Sequence, residues 1–337
     1  MNAPIPPQNP PLLSVIDLKM HFPVRGGVLK KTKGTIYALD GISFTVREGE
    51  TLGIVGESGC GKTTAGRTIL RLYPPTSGSV IFEGKDLARI PKKILRETRR
   101  RMQMIFQDPF ESLDARQTVY EILEEPFLIH GMGNPTERKA KIHQLLDTVG
   151  LQKSSASLFP HEFSGGQRQR IGIARAIALN PRLIVCDEPV SALDVSIQSQ
   201  ILNLLIELQR ERGLSYLFIS HNLAVVKYMS ESIIVMYLGK IVEHAPAELI
   251  YQNPVHPYTQ ALISAIPVPD PTRKRRRALL SGDIPSPRNP PAGCRFHTRC
   301  PLVLDQCRRE EPLLRCHEGD PDRRVACHRS TEGIKIW

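Results

Sequence analysis

A glycine-rich segment at residues 56–63 constrains the fold of this chain more than any other feature. It reads Gly56-Glu57-Ser58-Gly59-Cys60-Gly61-Lys62-Thr63 and matches the phosphate-binding loop pattern GxxxxGK[ST] in full. An apolar run precedes it and a helical pattern follows it, which predicts a strand, a tight turn and a helix. Glycines let backbone N–H groups face phosphate oxygens, and the start of the helix attracts the same anion.

The segment therefore predicts a nucleoside triphosphate site in an α/β protein. We expect Lys62 to reach the β and γ phosphates and the Thr63 hydroxyl to bind Mg²⁺. Cys60 is interpreted as a small residue whose backbone serves the phosphates. The predicted nucleotide-binding residues of this segment are Gly56, Glu57, Ser58, Gly59, Cys60, Gly61, Lys62, Thr63 and Thr64.

A pair of adjacent carboxylates follows a short apolar strand. Residues 183–186 are all apolar, as is typical of a strand inside a parallel sheet, and Asp187 and Glu188 come directly after them. Ligands collect at the carboxyl ends of such strands. We expect Asp187 to hold Mg²⁺ through water and Glu188 to polarise the attacking water. A helix start or solvated turn is the alternative, and the nearby phosphate loop favours the catalytic interpretation.

Four further motifs resemble those of the ABC ATPases. Phe163-Ser164-Gly165-Gly166-Gln167 resembles the family signature LSGGQ, with Phe in place of Leu. Gln107 resembles the Q-loop glutamine and His221 the switch histidine. Ser191-Ala192-Leu193-Asp194 resembles the D-loop. The resemblance covers about residues 18–250 in the family's order.

The resemblance implies a site completed by two subunits. Ser164 can cap a helix, so that the N–H groups of Gly165 and Gly166 face a γ-phosphate. In the family that phosphate is bound to the opposite subunit, and ATP is sandwiched in a dimer. The residues implied to act in trans are Ser164, Gly165, Gly166 and Gln167. The implied D-loop residues are Ser191 and Asp194.

Other roles are also carried over from the resemblance. His221 would bond the γ-phosphate and orient water, as a second catalytic residue beside Glu188. Gln107 would link Mg²⁺ to a helical subdomain. Family members stack adenine on an aromatic side chain upstream of the phosphate loop, for which Phe22 is the first choice and Tyr37 the second.

The predicted fold class is α/β, an ABC-type phosphate-loop ATPase core with a mainly parallel sheet, an antiparallel β layer and a helical subdomain. A small Cys-rich module would follow at the C-terminus. The predicted divisions are a flexible N-terminus 1–12, a nucleotide-binding domain 13–253 with its helical subdomain at about 108–180, an extension and linker 254–293, and the Cys-rich module 294–337.

The segment after the core narrows the resemblance to one branch. Residues 253–259, NPVHPYT, resemble the NPxHPYT segment of dipeptide and oligopeptide importer ATPases. Residues 293–297 and 325–328 also resemble that branch. The resemblance implies ATP-driven import of dipeptides or oligopeptides at the cytoplasmic face of the inner membrane, with nickel or another small solute as the alternative. Implied partners are a second ABC ATPase subunit (a related chain, with a copy of this chain as the alternative), two membrane-spanning permease subunits and an extracytoplasmic substrate-binding protein.

Five of the seven cysteines fall between Cys294 and Cys327. A reducing cytosol disfavours disulfides, and the lack of CxxC pairs disfavours zinc. Four thiolates can hold a [4Fe–4S] cluster, and the resemblance points to Cys294, Cys300, Cys307 and Cys327 as its ligands. Cys316 is extra. Zinc stays open as the alternative because three histidines lie nearby, namely His297, His317 and His328.

Charge alone does not identify the partner. The formal charge is +11, with 45 Lys+Arg against 34 Asp+Glu, which suits nucleic acid, an anionic membrane or an anionic nucleotide. A soluble ABC protein acting on nucleic acid is the rival interpretation. The interval from Thr63 to Ser164 is too short for the coiled coils of the repair types, and the chain lacks a zinc-finger pattern or an RNA-reading aromatic motif. We therefore expect no nucleic-acid partner. We also expect no membrane span and no secretory signal.

Overall fold

The computed structural model describes residues 10–26, 31–108, 112–266, 280, 282–331 and 336. Most of the predicted flexible N-terminus and part of the predicted linker, including the basic run 273–277, lie outside these residues. The strands are β1 Leu13–Gly26, β2 Lys31–Val46, β3 Thr51–Val55, β4 Ser77–Phe82, β5 Lys85–Asp86, β6 Met102–Ile105, β7 Leu183–Asp187, β8 Ser215–Ile219, β9 Ser232–Tyr237, β10 Lys240–Pro246, β11 Arg315–His317 and β12 Asp320–Val325. The helices are α1 Lys62–Ile69, α2 Lys92–Arg99, α3 Val119–Ile129, α4 Pro135–Thr148, α5 Gly165–Ile177, α6 Val195–Arg212, α7 Leu223–Met229, α8 Ala247–Gln252, α9 Pro257–Ser264 and α10 Asp305–Arg309.

Two sheets form the centre of the described structure. The larger has the strand order β11-β12-β10-β9-β3-β8-β7-β6, and the smaller has the order β2-β1-β4-β5. From β9 to β6 neighbouring strands run parallel, whereas β9, β10, β12 and β11 pair antiparallel. Every residue of β3, β7 and β8 is buried, as expected for strands covered on both faces. The predicted α/β fold and its antiparallel β layer are confirmed. The larger sheet, predicted to be mainly parallel, is mixed because β10, β12 and β11 join it antiparallel.

Helices α3, α4 and α5 pack together beside the sheet. Their contact is made by apolar side chains that are at most 1% exposed, namely Leu123, Phe127, Ile142, Leu146 and Ile171. Both α3 and α4 begin at a capping box, in which the first polar side chain and a glutamate three residues on satisfy each other's backbone N–H groups. These helices lie in the chain between Gln107 and β7, as predicted for the helical subdomain.

The C-terminal residues are not a module with a core of their own. Strand β12 pairs with β10 and so extends the larger sheet. The Phe296 ring is 1% exposed and packs in an edge-on contact against Tyr237 of β9. The predicted separate Cys-rich module is therefore not confirmed, because this segment buries its apolar residues against the sheet.

Among the described residues, no helix has both the length and the apolar character that a bilayer crossing requires.

A buried ion pair connects the C-terminal strand to the rest of the sheet. Arg323 of β12 is 1% exposed and Glu243 of β10 is 0% exposed, with Arg323 Nη1 lying 3.6 Å from Glu243 Oε1. Arg323 Nη2 also donates to the Leu249 carbonyl at 3.2 Å. Glu243 accepts the N–H groups of Val255 and His256 at 3.0 and 2.9 Å. The pair therefore fixes the start of α9 as well as β12.

We expect Arg323→Met to lower the free energy of unfolding by about 3 kcal/mol, because it leaves the Glu243 carboxylate buried without its cation. Chemical denaturation of the full chain measures this. The matched control is Lys153→Met, which removes a pair with Asp147 whose side chains are 59% and 55% exposed. That change is expected to cost less than about 1 kcal/mol. Equal losses in the two variants would contradict the structural role assigned to Arg323.

Candidate functional site

The phosphate loop lies between β3 and α1, as predicted. Gly56, Gly59 and Gly61 have φ values of +155°, +79° and +107°. A Cβ atom at Gly56 would lie 2.3 Å from the Met236 carbonyl oxygen, and one at Gly61 would lie 2.3 Å from the Ala38 carbonyl oxygen. The loop can therefore pass this close to β2 and β9 only with glycine at these two positions.

A cavity of about 560 Å³ opens above the loop. Its lining includes the predicted loop residues Ser58, Gly59, Gly61, Lys62, Thr63 and Thr64. Lys62 is 5% exposed, and its Nζ donates to the carbonyl oxygens of Gly56 at 2.8 Å and Glu57 at 3.0 Å. Its third contact is to Cys60 Sγ at 3.9 Å. A buried cation held by carbonyl dipoles and a thiol fits a site for an anion.

Three predicted loop residues, Gly56, Glu57 and Cys60, lie outside the lining of this cavity. Glu57 does not line the cavity: its N–H donates to the Tyr258 hydroxyl at 2.8 Å, and its carboxylate pairs with Arg299. Cys60 is 4% exposed and also lies outside the lining, so burial raises the pKa of its thiol. The Glu57 N–H is therefore hydrogen-bonded to a residue outside the cavity lining.

Two of the residues predicted to bind Mg²⁺, Thr63 and Asp187, are in contact at the carboxyl end of β7. Thr63 Oγ1 donates to Asp187 Oδ1 at 2.9 Å, and Asp187 is 1% exposed. Asp187 Oδ2 is buried and has no hydrogen-bond partner among the described residues. Burial raises the pKa of Asp187, and the Thr63 hydrogen bond opposes that shift. An unpartnered carboxylate oxygen next to a hydroxyl fits a hard divalent cation that favours oxygen ligands.

Glu188 is the centre of a small polar cluster. Its Oε2 accepts from Gln107 Nε2 at 3.3 Å and lies 3.0 Å from His221 Nδ1. The residue has φ of +48°, which is uncommon for a side chain other than glycine or asparagine. All three residues line the cavity above the phosphate loop. The structure thus brings together the two predicted catalytic residues and the Q-loop glutamine.

The two aromatic candidates for adenine differ in position. Phe22 lines the cavity with the phosphate loop and has Tyr73 packed edge-on against it at 5.5 Å. Tyr37 is absent from the lining and packs against His21, with ring centroids 4.7 Å apart. Pro287, which sequence reasoning missed, also lines the cavity. The geometry favours Phe22.

The signature segment, residues 164–167, lies outside the lining of this cavity. Ser164 is the N-cap of α5, its Oγ accepts from the Gln167 N–H at 3.3 Å, and Gln167 Oε1 accepts from the Ser164 N–H at 3.0 Å. Ser164 and Gln167 are exposed, Gly165 and Gly166 are half-buried, and none of the four lines the cavity. In a capping box of this kind the first N–H groups of the helix have no partner within the helix.

The predicted D-loop, residues 191–194, is in contact with Glu188. Ser191 Oγ donates to the Glu188 carbonyl at 3.1 Å, and Asp194 is the N-cap of α6 without accepting a cap hydrogen bond from its side chain. Both residues are exposed. The structure thus places one end of the D-loop against Glu188.

The predicted cluster ligands lie near one another but do not form a recognisable metal site. Burial, together with the charges of Cys307, Cys327 and Cys300, raises the pKa of the Cys294 thiol to about 12. Cys316 is exposed. Within the described parts of the chain, no three His, Cys, Asp or Glu side chains are grouped so as to hold a metal ion. The predicted [4Fe–4S] cluster and its zinc alternative are therefore not confirmed.

A glycine-rich loop opening a helix, a buried aspartate bonded to its threonine and a glutamate held by Gln107 and His221 define a phosphate-loop nucleotide hydrolase. Comparison with models of known protein families assigns the chain to a narrower class. The model of the ABC transporter family matches residues 39–191, and that of the oligopeptide/dipeptide transporter C-terminal region matches residues 242–307.

Relatives agree along nearly the whole chain. The oligopeptide transport ATP-binding protein AppF of Bacillus subtilis is 53% identical over 94% of this chain and 97% of its own length. The probable peptide ABC transporter ATP-binding protein y4tS of Sinorhizobium fredii is 52% identical over 94% of this chain and 89% of its own length. The chain belongs to the ABC transporter ATP-binding proteins, in the oligopeptide/dipeptide branch.

Solved structures show the same cassette. The dimeric post-hydrolysis state of the ATP-binding cassette MJ0796, bound to ADP and Pi, superimposes with a TM-score of 0.62 at 29% identity, covering 70% of this chain and 98% of that one. The CbiO1 protein of Clostridium perfringens gives a TM-score of 0.61 at 26% identity, covering 73% and 92%.

We expect Glu188→Gln to reduce ATP turnover by about 10³-fold while ATP binding stays within about twofold, because the amide keeps the shape but cannot polarise water as a carboxylate does. Phosphate release by the assembled transporter and nucleotide binding by the full chain measure the two quantities. The control is Glu211→Gln, an exposed carboxylate on α6. Turnover near that of the wild type would refute Glu188 as the base.

Proposed function

We propose that this chain hydrolyses ATP to drive the import of dipeptides or oligopeptides, as one nucleotide-binding subunit of an ABC transporter at the cytoplasmic face of the inner membrane. The observation that carries the proposal is the cluster of Gln107, Glu188 and His221 beside the phosphate loop, in a chain whose relatives are named as peptide transport ATP-binding proteins. Nickel or another small solute is the alternative cargo.

Each group in the cavity has a role in this proposal. Lys62 and the loop N–H groups bind the β and γ phosphates, and Phe22 stacks on adenine. Thr63 and Asp187 hold Mg²⁺, which neutralises phosphate charge when it is bound. Glu188 orients and polarises the attacking water, and His221, with its Nδ1 near Glu188, bonds the γ-phosphate on its other side.

The signature of this chain serves a different nucleotide from its own phosphate loop. Support comes from the orientation of residues 164–167, which lie outside the cavity and present the open end of α5. The partial positive charge at the N-terminus of α5 would stabilise a phosphate bound to the neighbouring subunit. The partner is a second ABC ATPase chain, either a related chain or a copy, and the MJ0796 cassette is described as a dimer.

A second cavity suits the contact with the permease subunits. It measures about 1220 Å³ and lies between the sheet and α3, where Leu72 and Ile129 are 45% and 47% exposed. Gln107, Glu188 and His221 line both this cavity and the nucleotide cavity. A permease segment bound in it would therefore touch the same side chains that sense the nucleotide. Peptide selection in this proposal belongs to the permeases and the substrate-binding protein.

We further propose that Cys294, Cys300, Cys307 and Cys327 hold a [4Fe–4S] cluster, with Zn²⁺ as the alternative. Burial raises the pKa values of the Cys294, Cys300 and Cys327 thiols, and the charge of Cys307 adds to each shift, which supports the proximity of the four thiols. No step of ATP hydrolysis depends on this assignment.

The trans arrangement predicts a selective defect in Gly165→Asp. A Cβ at Gly165 would meet only Leu193, at an ordinary 3.5 Å, and an acidic residue in the first turn favours the helix, so the fold should tolerate the change. We expect the carboxylate to repel the partner's γ-phosphate and lower turnover of the assembled transporter by about 10²-fold. ATP binding to the single chain should stay within about twofold of wild type, since its own cavity is untouched.

The control is Gly172→Asp, because Gly172 lies in the same helix and a Cβ there meets nothing within 4 Å. Its ATP turnover and peptide uptake into proteoliposomes should equal those of the wild type. If Gly165→Asp hydrolyses ATP as fast as this control, the trans role is wrong. If the wild-type complex hydrolyses ATP but accumulates nickel instead of peptides, the peptide assignment is wrong.

Anaerobic purification tests the cluster. We expect about four iron and four sulfide per chain, a brown colour, and loss of both in Cys307→Ser but not in Cys316→Ser. Metal and sulfide analysis measures this. A colourless protein with stoichiometric zinc would establish the alternative, and one without bound metal would exclude both.

A further inference from the structure

Two residues of the C-terminal extension, the chain from residue 254 onward, form hydrogen bonds to the phosphate loop. Both contact the same loop residue, Glu57. The Glu57 N–H donates to the Tyr258 hydroxyl at 2.8 Å. The Glu57 carboxylate accepts from Arg299 through both oxygens, at 2.7 Å from Nη1 and 3.2 Å from Nη2. Paired, parallel bonds of this kind fix the orientation of the carboxylate as well as its position.

A fourth bond to Glu57 comes from inside the loop. Lys62 Nζ donates to the Glu57 carbonyl oxygen at 3.0 Å. The N–H, the carbonyl and the side chain of Glu57 are therefore each held by a different residue. Because Lys62 is the cation that lines the cavity, the extension is connected through a single residue, Glu57, to the group expected to meet the phosphates.

The two outer contacts are themselves rigidly supported. Tyr258 is 0% exposed and packs against Tyr237 and Phe296, with ring centroids 4.8 and 5.4 Å apart. The Arg299 guanidinium lies 6.0 Å from the centre of the Tyr237 ring, and this side chain is 8% exposed. Rigid supports of this kind lower the entropy that a loop loses when it binds its ligand.

The start of α9 is fixed in the same way. His256 is the N-cap, and its Nδ1 accepts from the Tyr258 N–H at 3.0 Å. Burial lowers the pKa of His256 to about 3, so the ring stays neutral and able to accept this bond at neutral pH. Tyr258 is thus held at its backbone by His256 and at its hydroxyl by Glu57.

We propose that Tyr258 and Arg299 are positioning residues for nucleotide binding, which act by holding Glu57 and, through it, the phosphate loop and Lys62 in the conformation that accepts ATP. The inference rests on the proposed ATPase function and adds to it a role for the C-terminal extension. Arg299 keeps the Glu57 carboxylate on the outer side of the loop, neutralised and away from the cavity. Without that pairing, an uncompensated negative charge lies next to the site for the phosphates.

The test is made on the full chain assembled with its partner subunits. Arg299→Met removes the cation, Tyr258→Phe removes only the hydroxyl acceptor, and Glu57→Gln in the Arg299→Met background removes the charge left unpaired. The matched control is Arg295→Met. Arg295 lies in the same segment, its side chain is 9% exposed against 8% for Arg299, and it pairs with Asp40 of β2 instead of the phosphate loop.

We expect Arg299→Met to raise KM for ATP about 10-fold and Tyr258→Phe about 3-fold, with kcat within about twofold of wild type in both. Adding Glu57→Gln to Arg299→Met should return KM to within about 3-fold of wild type, since the charge that opposes the phosphates is gone. Arg295→Met should lower the thermal midpoint as much as Arg299→Met does but leave KM unchanged.

Several results would overturn the inference. One is an equal KM for Arg299→Met and Arg295→Met, which would mean that the contact only stabilises the fold. Another is a lowered kcat with unchanged KM in Arg299→Met and Tyr258→Phe. Failure of the proposed function looks different, because the wild-type complex would then hydrolyse no ATP.

Discussion

The hydrogen bond from Thr63 Oγ1 to Asp187 Oδ1 joins the two halves of the nucleotide site, and the order of the sheet makes it possible. Strands β3 and β7 flank β8 and run parallel to it. The loop after β3 and the carboxylates after β7 therefore leave the sheet at the same edge. An antiparallel β7 would put Asp187 at the opposite edge, so the catalytic geometry depends on a parallel core that is buried on both faces.

Sequence predicted those parts of the structure that depend on neighbouring residues. The phosphate loop follows from its glycines, because their positive φ angles and close contacts admit no other side chain. The capping box of Ser164 and Gln167 also lies within one helical turn. In each case the residues that determine the geometry are a few positions apart.

Contacts between residues far apart in the chain could not be predicted from local sequence patterns. Glu57 and Arg299 are 242 positions apart, and no periodicity relates them. Glu57 was expected to serve the nucleotide, since its place in the motif gives no sign that its N–H turns toward Tyr258. Glu243 lies in β10, and from sequence alone a charged residue is expected to face solvent. Only the folded sheet shows that β12 covers it and supplies Arg323.

The same placement explains why the C-terminal segment is not a separate module. Its polar residues find their partners on other elements: Arg323 at Glu243, Arg299 at Glu57 and Arg295 at Asp40. Each pair joins the extension to a different strand or loop of the core. An extension attached in this way cannot move as a unit without breaking buried charge pairs, so it is part of the scaffold on which the phosphate loop is built.

The D-loop connects Glu188 to the start of α5 in a comparable way. Ser191 bonds to the backbone of Glu188, and Leu193, two residues on, lies against the face where a Cβ of Gly165 would be. A Cβ at Gly166 would lie 2.6 Å from Ile197 Cγ2, so this glycine is required by packing as well as by any approaching phosphate. The first turn of α5 thus packs on the segment that begins at the proposed base. In the proposed dimer, a shift of the signature segment would therefore reach Glu188 of the same chain through Leu193 and Ser191.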